Sequence, residues 1–259
     1  MPDRPSPWPD SCQGGVSLTF DDGMQSQLDT AAPLLNEHHL SGTFYLNPRG
    51  GDVSEGNTPS WRDLLTPWRE VSVAGHEIGN HTVTHPCSWA FKKKRGAGLE
   101  AMTLPDIEFE IREGQRRIAA VSPEQARNSF CYPCYHSHVG EGPSRQSYVP
   151  IVSRYHSAAR AKGDYANFPG TADLHHLSSC PVERYSCQQM IGFIEQAITG
   201  GQWAILTFHG IHQGHLSVSD VDFRGICVYL ADNRNRIHVD TVVSVAELIA
   251  EWRTTCNDR

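Results

Sequence analysis

The chain has 259 residues, a formal net charge of −7 and a pI near 6.0. That balance offers no basic field to a phosphate backbone, which excludes nucleic acid as a partner and suits a neutral or cationic substrate. No apolar run reaches the roughly 18 residues of a membrane span, and the length accommodates one barrel-sized domain over 1–259 with its core over 16–252.

Val16-Ser17-Leu18-Thr19-Phe20 reads as a buried strand that runs into Asp21-Asp22-Gly23. Adjacent side chains on a strand point to opposite faces, so the two carboxylates can take different jobs, one as metal ligand and one as proton acceptor. The competing reading is an ordinary Asp-Asp-Gly turn. Between Met24 and Glu37, Leu28, Ala31 or Ala32, and Leu35 form a helical stripe, with Pro33 forcing an irregular first turn or a kink. Gly42 to Leu46 reads as a second strand. Ser60 then caps a helix whose apolar face is Trp61, Leu64, Leu65 and Trp68. Gly75 to Asn80 is a third strand leading into a loop, and the basic run Lys92 to Gly96 reads as a solvated loop.

Pro105 to Val121 is helical, with an early proline and acidic residue and with Arg116 and Arg117 late, which complements the helix dipole. Ser129 to Tyr132 gives another short strand, and Tyr135 to Leu177 shows no legible periodicity. Gln188 to Thr199 is an amphipathic helix stopped by Gly200-Gly201, and Trp203 to Phe208 is an apolar strand ending at His209-Gly210. Ser219 to Asn233 and Ser244 to Trp252 close the chain as helices around the strand Ile237 to Asp240. Such alternation predicts a parallel sheet covered by helices, either open or closed into a barrel. Ligands sit at the carboxyl ends of such strands, where Asp21, Asp22 and His209 fall.

His81 and His85 are four residues apart, a spacing that on one turn places both imidazoles within reach of one metal ion, with Pro86 making that turn irregular. Two imidazoles and one carboxylate form a triad with open positions, suited to zinc or another divalent first-row metal such as cobalt or nickel. The pairs His38-His39, His175-His176 and His212/His215 read as surface or supporting residues. Eight cysteines are compatible with disulfides, and Cys180 with Cys187 is the first pair to expect from their proximity. Cys131-Tyr-Pro-Cys134 lacks the second pair of a zinc knuckle, and reads as a redox dithiol or as two buried thiols. Trp61, Trp68, Trp89 and Tyr135 are either core residues or platforms for a pyranose ring.

Four segments together carry a resemblance: Thr19-Phe20-Asp21-Asp22-Gly23, His81-Thr-Val-Thr-His85-Pro86, Phe130-Cys-Tyr-Pro133 and Leu206-Thr-Phe-His209. In order and spacing they resemble the motifs of the polysaccharide deacetylase family, also called carbohydrate esterase family 4 or the NodB homology domain. The resemblance implies an α/β fold, a distorted and incomplete (β/α) barrel of about seven units. It implies a metal-dependent hydrolase that removes acetyl groups from an N-acetylglucosamine-containing glycan or from acetylated xylan. Carried over, Asp21 is the general base and Asp22, His81 and His85 hold the metal. His209 is the general acid acting alongside a metal-activated water, and the backbone N–H of Cys134 completes the oxyanion site.

The departures are equally specific. Many members carry an arginine at the third motif that pairs with the catalytic aspartate, whereas here Phe130-Cys131-Tyr132-Pro133-Cys134 has none, leaving Arg154 and Arg160 as candidates. Asp173 is the nearest candidate to support His209, and Tyr135 replaces a glycine and narrows the cleft. Tyr135 and Arg160 are also the residues expected against substrate. The expected partner is an acetylated carbohydrate, with no obligate protein partner. A secreted or periplasmic location follows from cysteine number and substrate, with the cytoplasm as the alternative. The opening residues lack the apolar core of a signal peptide, so an export signal would lie outside this sequence. Two other readings compete: a catalytically impaired carbohydrate-binding relative, and a non-haem iron enzyme using the same two histidines and aspartate.

Overall fold

In the opening strand β1 (Gly14–Asp21), polar and apolar residues alternate from Val16 onward, and this sorts the molecule into an inside and an outside. Val16, Leu18 and Phe20 belong to the main apolar core with Leu35, Ile194 and Phe223 of the covering helices. Ser17, Thr19 and Asp21, on the opposite face, are equally buried. The computed structural model describes residues 6–9, 11–92, 96–163 and 165–257; Lys93, Lys94 and Arg95 of the predicted basic loop lie outside them.

Seven more strands join β1: β2 (Gly42–Leu46), β3 (Glu77–Asn80), β4 (Ser129–Cys131), β5 (Ala158–Arg160), β6 (Cys180–Pro181), β7 (Trp203–Phe208) and β8 (Ile237–Val239). Their spatial order is β5-β4-β3-β2-β1-β7-β6, with β8 against the start of β1, and all pairings are parallel. The segment 177–181 bonds to β5 through Leu177 and to β7 through Cys180. This curls the sheet into the expected incomplete (β/α) barrel.

The helices are α1 (Ala32–Glu37), α2 (Trp61–Leu65), α3 (Trp68–Val73), α4 (Trp89–Lys92), α5 (Leu104–Ala119), α6 (Val149–Tyr155), α7 (Cys187–Thr199), α8 (Asp220–Asp232) and α9 (Val242–Asn257). Their starts follow local chemistry: Ser60, Thr103, Ser186 and Ser219 each accept from a backbone N–H three residues on. The stretch before α1 is a wide π-turn, Gln27–Ala31, in which the Ala32 N–H donates to the Gln27 carbonyl. Pro33 has no N–H to continue the ordinary ladder there. Pro67 separates α2 from α3 in the same way, and α9 runs five residues beyond the predicted end at Trp252.

Two expectations are corrected. Cys180 and Cys187 are not bonded to each other; among the described residues the disulfide joins Cys87 to Cys134, 47 residues apart with a Cα separation of 5.7 Å. Closeness in sequence is not closeness of Cα atoms, and here the barrel brings two distant loops together. Cys131 stays a buried thiol and has no partner in Cys134. Trp61 and Trp68 are 0 % and 3 % exposed, which removes both as sugar platforms; they fill the core between α2, α3 and the sheet.

Candidate metal centre and catalytic cleft

Register brings the chemistry to one rim. Phe20 pairs with Phe208, so the residues that follow, Asp21 and His209, leave adjacent strands side by side. Cys131 pairs with Arg160, and Asn80, which precedes His81, pairs with Leu46 and Phe130. The strand ends are then bent to aim the side chains. Asp22 has φ of 73° and Gly23 φ of 61°, so the chain turns through two left-handed residues and the neighbouring carboxylates diverge. The Asp21 side chain is 3 % exposed inside the barrel, whereas that of Asp22 is 37 % exposed toward the cleft.

The His81 to His85 segment is not a helical turn. It is an irregular loop with Thr82 at φ 63° and His85 at φ 52°. Glu110 of α5 holds it by accepting from the N–H groups of Val83 (3.0 Å) and Thr84 (2.8 Å) and from the Thr84 hydroxyl (3.0 Å). Thr82 Oγ1 accepts from the His85 N–H at 3.1 Å. The result still presents both imidazoles to one point. His81 Nε2 and His85 Nε2 lie 3.8 and 3.6 Å from Asp22 Oδ1, and the three ligand atoms are all within 4.8 Å of one another.

His81 Nδ1 stands 2.8 Å from the Cys131 carbonyl, which fixes Nδ1 as the protonated nitrogen and leaves the Nε2 lone pair toward Asp22. Burial lowers the His81 pKa and keeps the ring in the neutral, ligating form. One carboxylate and two oriented imidazoles with open space before them fit a divalent cation. Cys131 is also near, but burial pushes its thiol well up, and it donates to Asp21 Oδ2 at 3.7 Å.

Asp21 faces Arg160, whose Nη2 donates to Oδ1 in a pair with side chains 0 % and 3 % exposed. Burial by itself raises a carboxyl's pKa; the Arg160 guanidinium, assisted by His81, His209 and His85, outweighs it and holds Asp21 below the usual range. Arg160 comes from β5, in the stretch whose structure the sequence left unread. The other candidate, Arg154, is exposed and pairs with Glu108 at 3.0 Å. Arg160 is therefore placed against Asp21 and is too buried to touch a substrate, which corrects its expected position there. Its guanidinium also lies over the Tyr45 ring, 4.8 Å from the centroid.

His209 Nε2 is 3.9 Å from Asp21 Oδ2, and His209 Nδ1 is 3.9 Å from Glu183 Oε1. Asp173 is not at His209: it accepts from the His175 N–H at 2.9 Å within its own turn, so Glu183 takes the place proposed for it. Glu183 and Gln27 were both missed in the sequence. The Gln27 side chain donates to the carbonyls of Asp21 (2.5 Å) and His209 (2.9 Å), tying the two strand ends together.

Cys134 and Tyr135 are successive left-handed residues, at φ 49° and 62°, pinned by the Cys87 disulfide. Of the eight non-glycine residues with positive φ among the described residues, five (Asp22, Thr82, His85, Cys134 and Tyr135) belong to this rim. Backbone strain is thus concentrated where side chains must be aimed. Tyr135 lines the cleft as expected, together with Phe91, Lys162 and His215, around a volume of about 550 Å³. Trp89 is half-buried and stands outside this cleft.

Residues 10–137 match the family model described as polysaccharide deacetylase. The chain is 26 % identical over 203 residues to a chitooligosaccharide deacetylase of Rhizobium leguminosarum bv. trifolii, a match covering 71 % of this chain and 80 % of that one. It is 31 % identical over 106 residues to a chitin deacetylase of Arthroderma benhamiae, covering 40 % of this chain and 26 % of that one. A crystal structure of a candidate polysaccharide deacetylase from Mycobacterium smegmatis superposes with a TM-score of 0.66 at 14 % identity, covering 98 % and 96 % of the two chains, a likeness of fold.

Proposed function

Since residues 10–137 place the chain in the polysaccharide deacetylase family, we propose that it is a metal-dependent hydrolase that removes acetyl groups from a carbohydrate, acting as one catalytic domain. The observation that carries this reading is the convergence of Asp22, His81 and His85 beside the buried Asp21–Arg160 pair and His209. Asp22, His81 and His85 would hold the cation, with zinc the first expectation and cobalt or nickel next. When bound, such an ion acts as a Lewis acid toward the acetyl carbonyl and eases deprotonation of water.

The chain's own groups supply the rest. Asp21, kept ionised by Arg160, accepts a proton from the attacking water. His209, at the neighbouring strand end, delivers a proton to the departing amine or alkoxide. The Cys134 N–H, held in a left-handed turn by its disulfide, is the donor for the oxyanion, a contribution of about 3 kcal/mol for one such group.

The motive for an impaired binding protein was the absent third-motif arginine, and Arg160 supplies that cation from another strand. The iron-enzyme reading leaves Asp21, Arg160 and His209 without a task. The relatives act on chitooligosaccharide or chitin; an N-acetylglucosamine-containing glycan is accordingly the first substrate class to test, with acetylated xylan second. The Cys87–Cys134 disulfide supports a secreted or periplasmic location.

The deciding assay is acetate release from chitooligosaccharide, peptidoglycan and acetylated xylan, before and after metal stripping. Activity that disappears on stripping and returns with zinc, cobalt or nickel is expected. Acetate release that survives chelation and extensive dialysis would overturn the metal role.

A further inference from the structure

The ladder between β1 and β7 stops one residue short of the two proton-transfer groups. Its last pair is Phe20 with Phe208, and Asp21 and His209 follow it with no pairing between them. The Gln27 side chain supplies the next rung. Its amide nitrogen donates to the Asp21 carbonyl at 2.5 Å and to the His209 carbonyl at 2.9 Å, and the residue is fully buried. Two carbonyls can only accept, so the nitrogen end of the amide must face them. The Gln27 carbonyl oxygen is buried without a hydrogen-bond partner among the described residues. An apolar side chain of similar size would avoid that cost, so the two donors, and not packing, account for an amide here.

His209 depends on such support more than Asp21 does. Asp21 has its own side-chain partner in Arg160. The His209 ring has none: Nδ1 is buried without a hydrogen-bond partner among the described residues, and the Asp21 and Glu183 carboxylates each stand 3.9 Å from one ring nitrogen. Where the ring sits is therefore set by the backbone that carries it.

That backbone hangs on the turn before α1 at two more points. Ser26 Oγ accepts from the Ile211 N–H at 3.0 Å, and the Ser26 N–H donates to Gln213 Oε1 at 2.8 Å. The loop is also closed on itself, Gly210 pairing with Ser217 and Ile211 with Val218. Residues 26 and 27 thus hold a pre-formed loop against the end of β1.

We propose that Gln27 is a positioning residue that acts through His209, its rung setting where the general acid meets the leaving group. This role rests on the deacetylase reading and adds to it a residue outside the catalytic motifs. In the step concerned, the bond from the acetyl carbon to the leaving nitrogen breaks and its electron pair goes to nitrogen, which takes the proton of the His209 ring. An aryl oxide is a weak base and departs without that proton, so an aryl ester reports on the rest of the machinery.

Metal-loaded wild type, Gln27→Met and Gln213→Ala, the last at an exposed position, are compared on tetra-N-acetylchitotetraose and on para-nitrophenyl acetate. Methionine is unbranched and close in size to glutamine, and it lacks both donors. In Gln27→Met, kcat on the amide should fall about 100-fold, the effect of a misplacement of about 1 Å, with KM nearly constant. The amide-to-ester ratio of kcat should fall about tenfold or more, and Gln213→Ala should move it the same way by less. In a His209→Ala background the Gln27→Met loss should almost vanish, because the two residues act as one unit. Equal losses on both substrates, or a full loss that persists without His209, overturns the proposal. If circular dichroism shows Gln27→Met unfolded, Gln213→Ala carries the same comparisons. A wild-type protein that releases no acetate from the glycan would sink the deacetylase reading alone. Crystal structures of wild type and Gln27→Met then decide the positioning role: His209 displaced by about 1 Å relative to His81 supports it, and an unmoved His209 overturns it.

Discussion

Replacing Arg160 with methionine is the most searching perturbation of the site. Methionine keeps an unbranched, flexible side chain and removes the guanidinium with its charge and its donors. The partner carboxylate then remains in a position where its side chain is 3 % exposed, beside a cation site that was 0 % exposed, so solvent screening gives no relief. Breaking a buried pair from one side costs about 3–5 kcal/mol, because the remaining charge is uncompensated. Part of any loss will be packing, since Arg160 also lies over the Tyr45 ring at 4.8 Å. The double-mutant cycle with Asp21→Asn separates the two, as packing is lost in both backgrounds and the ionic part in only one. Urea unfolding of the four proteins at neutral pH should show the Arg160→Met penalty shrinking by about 2 kcal/mol or more once Asp21 is asparagine. Equal penalties in the two backgrounds, within about 0.5 kcal/mol, would refute the claim that Arg160 holds the carboxylate.

Asp22→Ala should lose bound metal and acetate release together, whereas Asp21→Asn should retain metal and lose turnover; metal content after gel filtration decides, and equal metal loss in both would sink the division of labour. Reduction of the Cys87–Cys134 disulfide, or Cys87→Ser, should lower stability by about 4 kcal/mol in the chain-entropy model for a 47-residue separation, read as a shift in the urea midpoint; no shift would mean the loops are held without it. Burial depresses the His156 pKa to about 3 and that of His76 to about 4. Both rings stay neutral in the fold while the unfolded chain takes up protons below about 6.5, so their contribution is present above that pH and is lost as pH falls. From pH 6.5 to 5 each should cost about 2 kcal/mol, and a His156→Gln protein whose unfolding has the same pH slope as wild type would contradict the assignment.

Much of the scaffold was legible because its causes are local. Ser60 announces its helix, Pro33 announces the irregular turn before α1, and the buried run of β1 announces a strand. The motif residues Asp21, Asp22, His81, His85 and His209 were legible as candidates because each sits at the end of a readable strand or in a loop that follows one. The stretch from Tyr135 to Leu177 was not, since its one central strand, Ala158–Arg160, is three residues long and carries no period.

What the sequence by itself determined was the alternation of strands and helices outside residues 135–177 and the chemical kinds at the rim. What only the tertiary structure decided was partnership across long separations. Arg160 reaches Asp21 from 139 residues away, Cys87 finds Cys134 and not a nearer cysteine, and Glu183 replaces Asp173 beside His209. These pairings are set by strand register around a curled parallel sheet, where neighbours in space come from distant turns of the chain, and no local pattern of residues encodes that register.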